Sequence, residues 1–380
     1  MSADSRPPSR RAVLRTLGVG AAAALSGCGT AAAGRGGAAP AVPPAPPVAA
    51  LPEPSGAEVR PLPRAEAAPP VAPAVRLPRR LRPGGTVGLV APAGVLRSAR
   101  QVEEAVETLE ALGFRTRVGR HVLSRRGFLA GTDAQRAGDL MEMVEDPDVD
   151  AVLAMRGGWG CARILPLLDF DAIAENAKPL VGYSDVTALL VAVWARTGVV
   201  TFHGPTGVST WSDDVARSFV ETVVEGVPLA LGPETRSSRD RTETVVGGAA
   251  EGPFVGGNLS VLAALAGTGY LPDTAGAVVF FEEVGEEAYR LDRLLTQLEL
   301  AGFLSDPAAV VFGQCSRCSD GGSSWTAERT IREHLRGYGV PAVVGAPIGH
   351  ASPVYTVPVG LPARVDADAG TVAFVGSAVA

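Results

Sequence analysis

Residues 180–202 read LVGYSDVTALLVAVWARTGVVTF. The stretch opens on a strand-length apolar run, residues 180–183, and then places Ser184 and Asp185 side by side. Residues 186–196 are apolar on nearly all sides, long enough for a buried helix, and a second short apolar run follows at 199–202. A strand, a helix apolar all round and another strand at this spacing imply a parallel sheet covered on both faces. Taken alone, the Ser184–Asp185 pair has two readings. It is a helix cap, the simpler use of these residue types, or it is a nucleophile on a sharp strand-to-helix turn. The second glycine of G-x-S-x-G is missing, because Val186 stands in its place.

The same alternation extends upstream. Residues 86–92 suit a buried first strand that ends in a loop at Ala93 and Gly94. Val102, Ala105, Val106, Leu109 and Leu112 recur at helical spacing, with Gly113 placed to terminate the helix. Residues 114–118 predict a second strand. Thr132 or Asp133 can cap a helix whose apolar face includes Ala137, Leu140, Met141 and Val144. Residues 151–155 form a third strand leading into Arg156-Gly157-Gly158-Trp159-Gly160, followed by a short helix through Ile164 and Leu168. Downstream, charged and turn-rich sequence from 221 to 244 has weak periodicity. A second unit then opens with Gly256-Gly257-Asn258 and an apolar helix at 259–265. A strand at 277–281 precedes the acidic residues Glu282, Glu283, Glu286 and Glu287, a helix covers 289–300, and strands are expected at 310–313 and 342–345. The C-terminal stretch alternates as edge strands do. The predicted fold class is α/β, with an N-terminal parallel-sheet α/β domain over 79–211, a crossing over 212–246 and a smaller C-terminal α/β domain over 247–380.

The first 78 residues read differently. Arg10 and Arg11 precede a mildly apolar run at 16–25, too short to span a bilayer and suited to a twin-arginine export signal. Leu25-Ser26-Gly27-Cys28 has the pattern of a lipobox, so residues 1–28 are expected to be a signal with Cys28 lipidated. Residues 29–78 are rich in Ala, Pro and Gly without aromatics or periodicity, and are expected to form a disordered tether. The expected location is outside the cytoplasm, with the chain tethered to the outer face of the membrane, or periplasmic or extracellular. The membrane is touched only through the lipid.

Ligands of open parallel sheets gather at the carboxyl ends of the strands, so the residues after each strand carry the functional question. The glycines of 157–160 allow close backbone approach and could present N–H groups to an oxyanion, or they simply make a tight turn. Of the acidic cluster, Glu282 lies nearest its strand. The chain has four histidines, and only His350 and His203 follow strands; position alone does not choose between them. The single lysine, Lys178, directly precedes Pro179 and is poorly placed for a buried neutral amine. Cys161 suits a small buried thiol. Cys315 and Cys318 form one C-x-x-C without a second pair, which argues against zinc and leaves either a local disulfide or two thiols. A formal charge of −6 without a basic block argues against a nucleic-acid partner. No cofactor and no metal are expected.

Six segments in this order resemble the LD-carboxypeptidase family (muramoyltetrapeptide carboxypeptidases), which includes the microcin C immunity peptidases. They are residues 156–160, Gly182-Tyr183-Ser184-Asp185, Thr201-Phe202-His203-Gly204-Pro205, Gly256-Gly257-Asn258-Leu259, residues 282–298 and Gly349-His350. The resemblance implies Ser184 as nucleophile, Glu282 as orienting carboxylate and His350 as base, with the site at the interface of the two domains. Backbone N–H groups of Asp185 and of Gly158 or Gly157 would hold the oxyanion. Arg156, Trp159 and Asn258 are the expected substrate contacts, with Arg156 set to receive a free carboxylate. The implied substrate is a murein stem peptide cleaved between an L-centre and D-alanine, and the resemblance suggests a homodimer. The expected export would set this chain apart from cytoplasmic recycling members. Two other readings remain: a self-immunity peptidase for a peptide-nucleotide amide, and a solute-binding lipoprotein without catalysis.

Overall fold

The computed structural model describes residues 73–232 and 242–380. The export signal, Cys28 and residues 29–72 of the expected tether lie outside the described residues. Residues 73–78, also assigned to the tether, are instead fastened to the fold: the Arg76 N–H donates to the Gly198 carbonyl at 2.8 Å, and the Val200 N–H to the Arg76 carbonyl at 2.9 Å.

The first sheet is built from β1 (Thr86–Val90), β2 (Arg115–Val118), β3 (Ala151–Ala154), β4 (Leu180–Gly182) and β5 (Thr201–His203). All are parallel, in the order β2-β1-β3-β4-β5. Helices α1 (Arg100–Ala111), α2 (Asp133–Glu145), α3 (Cys161–Ile164), α4 (Phe170–Glu175) and α5 (Thr187–Thr197) make the crossovers. In α1, Val102, Ala105 and Leu109 are buried, as their spacing predicts. Thr132 caps α2 through a reciprocal pair of hydrogen bonds with Gln135, which satisfies N–H groups that the first turn leaves free. The short α4 has no counterpart in the sequence reading, being only six residues long.

The stretch 212–246 contains α6 (Asp213–Val220), a wider helical turn at Glu221–Glu225, and strands β6 (Ala230–Leu231) and β7 (Glu243–Val246). After them come β8 (Ala249–Asn258), α7 (Leu259–Leu265), β9 (Val278–Val284), α8 (Ala288–Leu300), β10 (Ala309–Ser316), α9 (Ala327–Tyr338), β11 (Ala342–Val344), β12 (Val357–Val359), β13 (Pro362–Asp366) and β14 (Thr371–Phe374). The second sheet runs β6-β14-β13-β8-β9-β10-β11-β7. Its centre, β8-β9-β10-β11, is parallel, and its flanks are antiparallel. Of the three C-terminal strands, only β12 lies at an edge, and it does so in the first sheet, antiparallel to β5 with Val357 opposite His203. Strands β13 and β14 are interior, because β6 closes the second sheet beyond them.

Two apolar layers join the sheets. One contains the buried run of α5 together with Val255, Leu259, Val279, Phe281 and Phe312. The other contains Leu89, Leu153, Val181 and Phe202 with Phe254, Phe280, Val311 and Val357. The first sheet thus packs through α5 against α7 and β8 of the second. Every residue from Thr187 to Trp194 is buried, which accounts for a helix without a polar face. Leu190 is fully buried here. Leu190→Ala is expected to cost about 2–5 kcal/mol, seen as a lower urea midpoint with little change in the slope of the transition.

Candidate active site

The elbow sits where β4 turns into α5. Tyr183 is extended, and Ser184 follows at φ +63°, a left-handed conformation that serine seldom adopts. A single 3₁₀ turn over Ser184–Val186 leads into α5. Asp185 faces inward and is 2 % exposed. Its carboxylate accepts the Cys161 N–H at 2.8 Å, which fastens the elbow to the loop 156–160. Burial raises the Asp185 pKa, partly offset by hydrogen bonds from Cys161. Burial also pushes the Cys161 thiol well up, and Asp185 adds to the effect. Cys161 is therefore the buried, inert thiol its position suggests.

The glycine loop lies directly on the serine. A methyl group at Gly157 would come within 2.7 Å of Ser184 Cβ, 2.9 Å of Ser184 Oγ and 3.1 Å of the Asp185 amide nitrogen. Only a residue without Cβ allows this contact. The Gly157 carbonyl accepts the Gly94 N–H at 3.2 Å. In a trans peptide, that turns the Gly158 N–H the opposite way, away from Gly94.

The other half of the site comes from the second sheet. Glu282, on β9, is fully buried, and its Oε2 lies 2.7 Å from His350 Nδ1. Burial acts to raise the Glu282 pKa. The His350 hydrogen bond, with the charges of His350 and His203 and the Asn258 side chain, more than offsets it and brings the group below the ordinary glutamate value. His350 follows Gly349 after β11 and is 16 % exposed at its side chain. Gly349 has φ +118°, and a methyl group there would approach Glu282 Oε2 to 2.7 Å. The Tyr183 ring lies 4.8 Å from the His350 ring, so the elbow of the first sheet meets the imidazole of the second.

The remaining expected residues sort by contact. Asn258 is 3 % exposed and caps α7: its Oδ1 accepts from Ser260 Oγ and the Val261 N–H, and its Nδ2 donates to Glu283 Oε1. Its backbone N–H donates to Thr187 Oγ1 at 3.1 Å, a second tie between α5 and the second sheet. This bracing leaves the substrate contact expected of Asn258 without structural support. Glu283 points away from Glu282, accepts the Ser260 and Val284 N–H groups, and has its pKa raised by burial. Arg156 and Trp159 line an open groove of about 520 Å³ with Gly94, Val95, Phe128 and Gly158. Cys315 and Cys318 are joined as a disulfide. Among the described residues, no cluster of His, Cys, Asp and Glu could hold a metal ion, and no helix is long and apolar enough to cross a membrane.

Tyr183, Thr187 and Phe128 were not singled out from the sequence. Tyr183 and Thr187 lie within one residue of the Ser184–Asp185 pair or two of it, where side chains must brace any strained turn. Phe128 sits in a loop without periodicity and gives no comparable signal.

His203, the rival base, is fully buried between Tyr183 and Phe280, with ring separations of 6.0 and 5.6 Å. Burial lowers its pKa to about 4, against a smaller raising effect of Glu282. Between pH 6.5 and 4 the unfolded chain binds a proton at this residue that the folded chain refuses, so stability falls as pH falls through that window. The loss is about 3 kcal/mol, measurable by urea unfolding. His203→Gln is expected to flatten that part of the profile.

A model of the LD-carboxypeptidase N-terminal domain matches residues 87–204, and one of the LD-carboxypeptidase C-terminal domain matches residues 251–365. A probable murein peptide carboxypeptidase of Bacillus subtilis is 37 % identical over 296 residues, covering 76 % of this chain and 91 % of the relative. The crystal structure of a muramoyltetrapeptide carboxypeptidase from Oxalobacter formigenes superposes with a TM-score of 0.67 at 30 % identity, covering 76 % of this chain and 97 % of the other. The microcin C7 self-immunity protein MccF of Escherichia coli is 28 % identical over 75 % of this chain and 91 % of the relative. Its structure in complex with glutamyl sulfamoyl guanosine gives a TM-score of 0.73, covering 80 % of this chain and 99 % of that one. With both domains matched in order on a two-sheet α/β fold, the chain belongs to the LD-carboxypeptidase family of peptidases.

Proposed function

We propose that this peptidase is a serine carboxypeptidase that removes the terminal D-alanine from murein stem tetrapeptides, with Ser184 as nucleophile, His350 as base and Glu282 as the carboxylate that orients it. The observation that carries this reading is the 2.7 Å contact of His350 Nδ1 with buried Glu282, with the imidazole against Tyr183, the neighbour of a serine held at φ +63°. A carboxylate at Nδ1 keeps the ring proton there, which leaves the Nε2 lone pair free to act as base. Ser184 Oγ attacks the peptide carbonyl carbon as its proton passes to His350 Nε2. The carbonyl oxygen becomes an oxyanion facing the N–H groups of Asp185 and Gly158. The C–N bond then breaks, and His350 gives its proton to the departing amine. Water, deprotonated by the same imidazole, hydrolyses the acyl-serine and releases the shortened peptide as its carboxylate. Through this cycle Glu282 stays ionised and stabilises the imidazolium.

The murein substrate is supported by the names of the relatives in Bacillus subtilis and Oxalobacter formigenes. Location outside the cytoplasm is supported by the paired cysteines 315 and 318, since disulfides persist in oxidising compartments, and by the Arg10-Arg11 and Cys28 patterns. There the enzyme would trim stem peptides within the wall, held by its lipid.

The test is incubation of the full chain with a murein tetrapeptide, followed by mass spectrometry for loss of one alanine. Ser184→Ala is expected to lose at least about 10,000-fold in turnover. Gly349→Ala is expected to lose about 100-fold or more in kcat, because the added methyl displaces Glu282 from the imidazole. Likeness to MccF favours a second substrate for the same experiment, an aminoacyl sulfamoyl nucleoside. Cleavage of that amide alone would make the protein an immunity-type peptidase. Tight binding of peptide with no cleavage of either would return it to a solute-binding role.

A further inference from the structure

The loop that carries the glycines also carries a cation. Arg156 is half-buried, and its guanidinium donates from one nitrogen to the Val95 carbonyl at 2.8 Å. No carboxylate among the described residues lies within ion-pair reach of it, although the other buried and half-buried arginines among those residues each have one: Arg136 pairs with Asp133, and Arg332 with Glu328. A half-buried guanidinium has given up part of its hydration, so a fixed one without an anion is a ready receptor for a planar carboxylate.

The groove around it has a defined shape. Trp159 is 47 % exposed and Phe128 is 66 % exposed, and both line it with Val95. The Phe128 carbonyl accepts the Val95 N–H at 3.0 Å, so the loop holding Phe128 is tied to the segment that holds Arg156. Gly94 keeps the floor open: a methyl group there would strike the Gly157 carbonyl at 2.9 Å and approach Arg156 Nε to 3.5 Å. The loop's next residue, Gly157, is the one in contact with Ser184. Arg156 thus belongs to the same loop that lies against the serine.

We propose that the groove formed by Arg156, Trp159, Phe128 and Val95 is the site for the C-terminal residue of the peptide substrate, with Arg156 receiving its free carboxylate and the two aromatic side chains enclosing a small apolar side chain. This deepens the serine carboxypeptidase reading and rests on it. The arrangement restricts cleavage to the last bond of a peptide. A chain that continued past this residue, or ended in an amide, would leave the guanidinium without an anion. Selection for the chain end then resides in one side chain on the same loop as the oxyanion donor, and binding the end of the peptide fixes the carbonyl over Ser184.

The test compares two synthetic peptides that end in L-lysyl-D-alanine, one with a free C-terminal carboxylate and one with a C-terminal carboxamide. Affinities are measured by calorimetry on full-chain Ser184→Ala, and turnover on the unaltered chain. The acid peptide is expected to bind about 30-fold or more tighter than the amide, the usual size of a charge-assisted pair. In Ser184→Ala with Arg156→Met the ratio is expected to fall to near unity, and in Ser184→Ala with Arg156→Lys to recover in part. Phe128→Ala is expected to raise KM several-fold for the acid peptide with little change in kcat. Circular dichroism and the urea midpoint confirm that each variant is folded. Equal affinity for the two peptides in Ser184→Ala, no binding of either, or an unchanged ratio in the Arg156→Met form would overturn the assignment. Discrimination in binding together with no turnover by the unaltered chain would instead refute the peptidase reading and leave the carboxylate site standing.

Discussion

Everything at the site depends on holding Ser184 in a backbone conformation that it would not choose. A non-glycine residue at positive φ costs on the order of 1–3 kcal/mol and persists only where its surroundings over-determine it. Here Asp185, in the 3₁₀ turn, and Thr187, the first residue of α5, supply that constraint from opposite directions. Asp185 reaches down to the Cys161 N–H in the glycine loop, and Thr187 reaches across to the Asn258 N–H at the end of β8. The strained serine is thus clamped to its own sheet on one side and to the second sheet on the other. The same clamps position the proposed chemistry, because the glycine loop carries the proposed oxyanion donor and β9, next to β8, carries Glu282.

Glu282 and Glu283 show how one strand gives adjacent carboxylates opposite uses. Alternate residues of a strand face opposite sides. Glu282 shares a face with Phe280, whose ring meets His203 edge-on, and Glu283 shares a face with Phe281 and the start of α7. Both are buried, and burial raises both. Only Glu282 meets an imidazole, and that contact brings its pKa below the ordinary value while that of Glu283 stays raised. A carboxylate that remains ionised in a dry environment is what an imidazolium would need during the proposed acylation. Glu283, against the N–H groups of Ser260 and Val284, serves instead to fix β9 against α7.

Much of this could be read in the sequence, and the limits have physical causes. The helix at 186–196 was recognisable because a helix apolar all round has few other homes, and the parallel sheet followed from it. The acidic cluster was placed beyond the strand expected at 277–281, yet β9 continues to Val284 and carries Glu282 and Glu283 inward. Charge argues for the surface, and only tertiary pairing with β8 and β10 reverses that. The stretch 221–244 read as a crossing because β6 has two residues and β7 four, too few to show a period. Their strand character comes from pairing with β14 and β11. Choosing between His203 and His350 was equally beyond local pattern, since both follow strands. Burial separates them: His203 has lost its solvent and stays neutral, whereas His350 keeps a partly exposed edge and a carboxylate partner.

The two-sheet arrangement also determines how precisely such a site can be held. The proposed nucleophile and base come from different sheets, with Ser184 and His350 about 166 residues apart in sequence. If the sheets met only through a polar interface, small rigid-body shifts would separate serine from imidazole, and misplacement by about 1 Å can cost 100-fold in rate. Both apolar layers instead run unbroken from one sheet to the other. Strand β12, from the C-terminal half of the chain, is hydrogen-bonded into the first sheet beside His203. Close-packed interiors transmit strain and do not deform continuously. The shared layers therefore hold Ser184, Glu282 and His350 within one packed unit, and Phe128 and Trp159 stand exposed on loops at its surface.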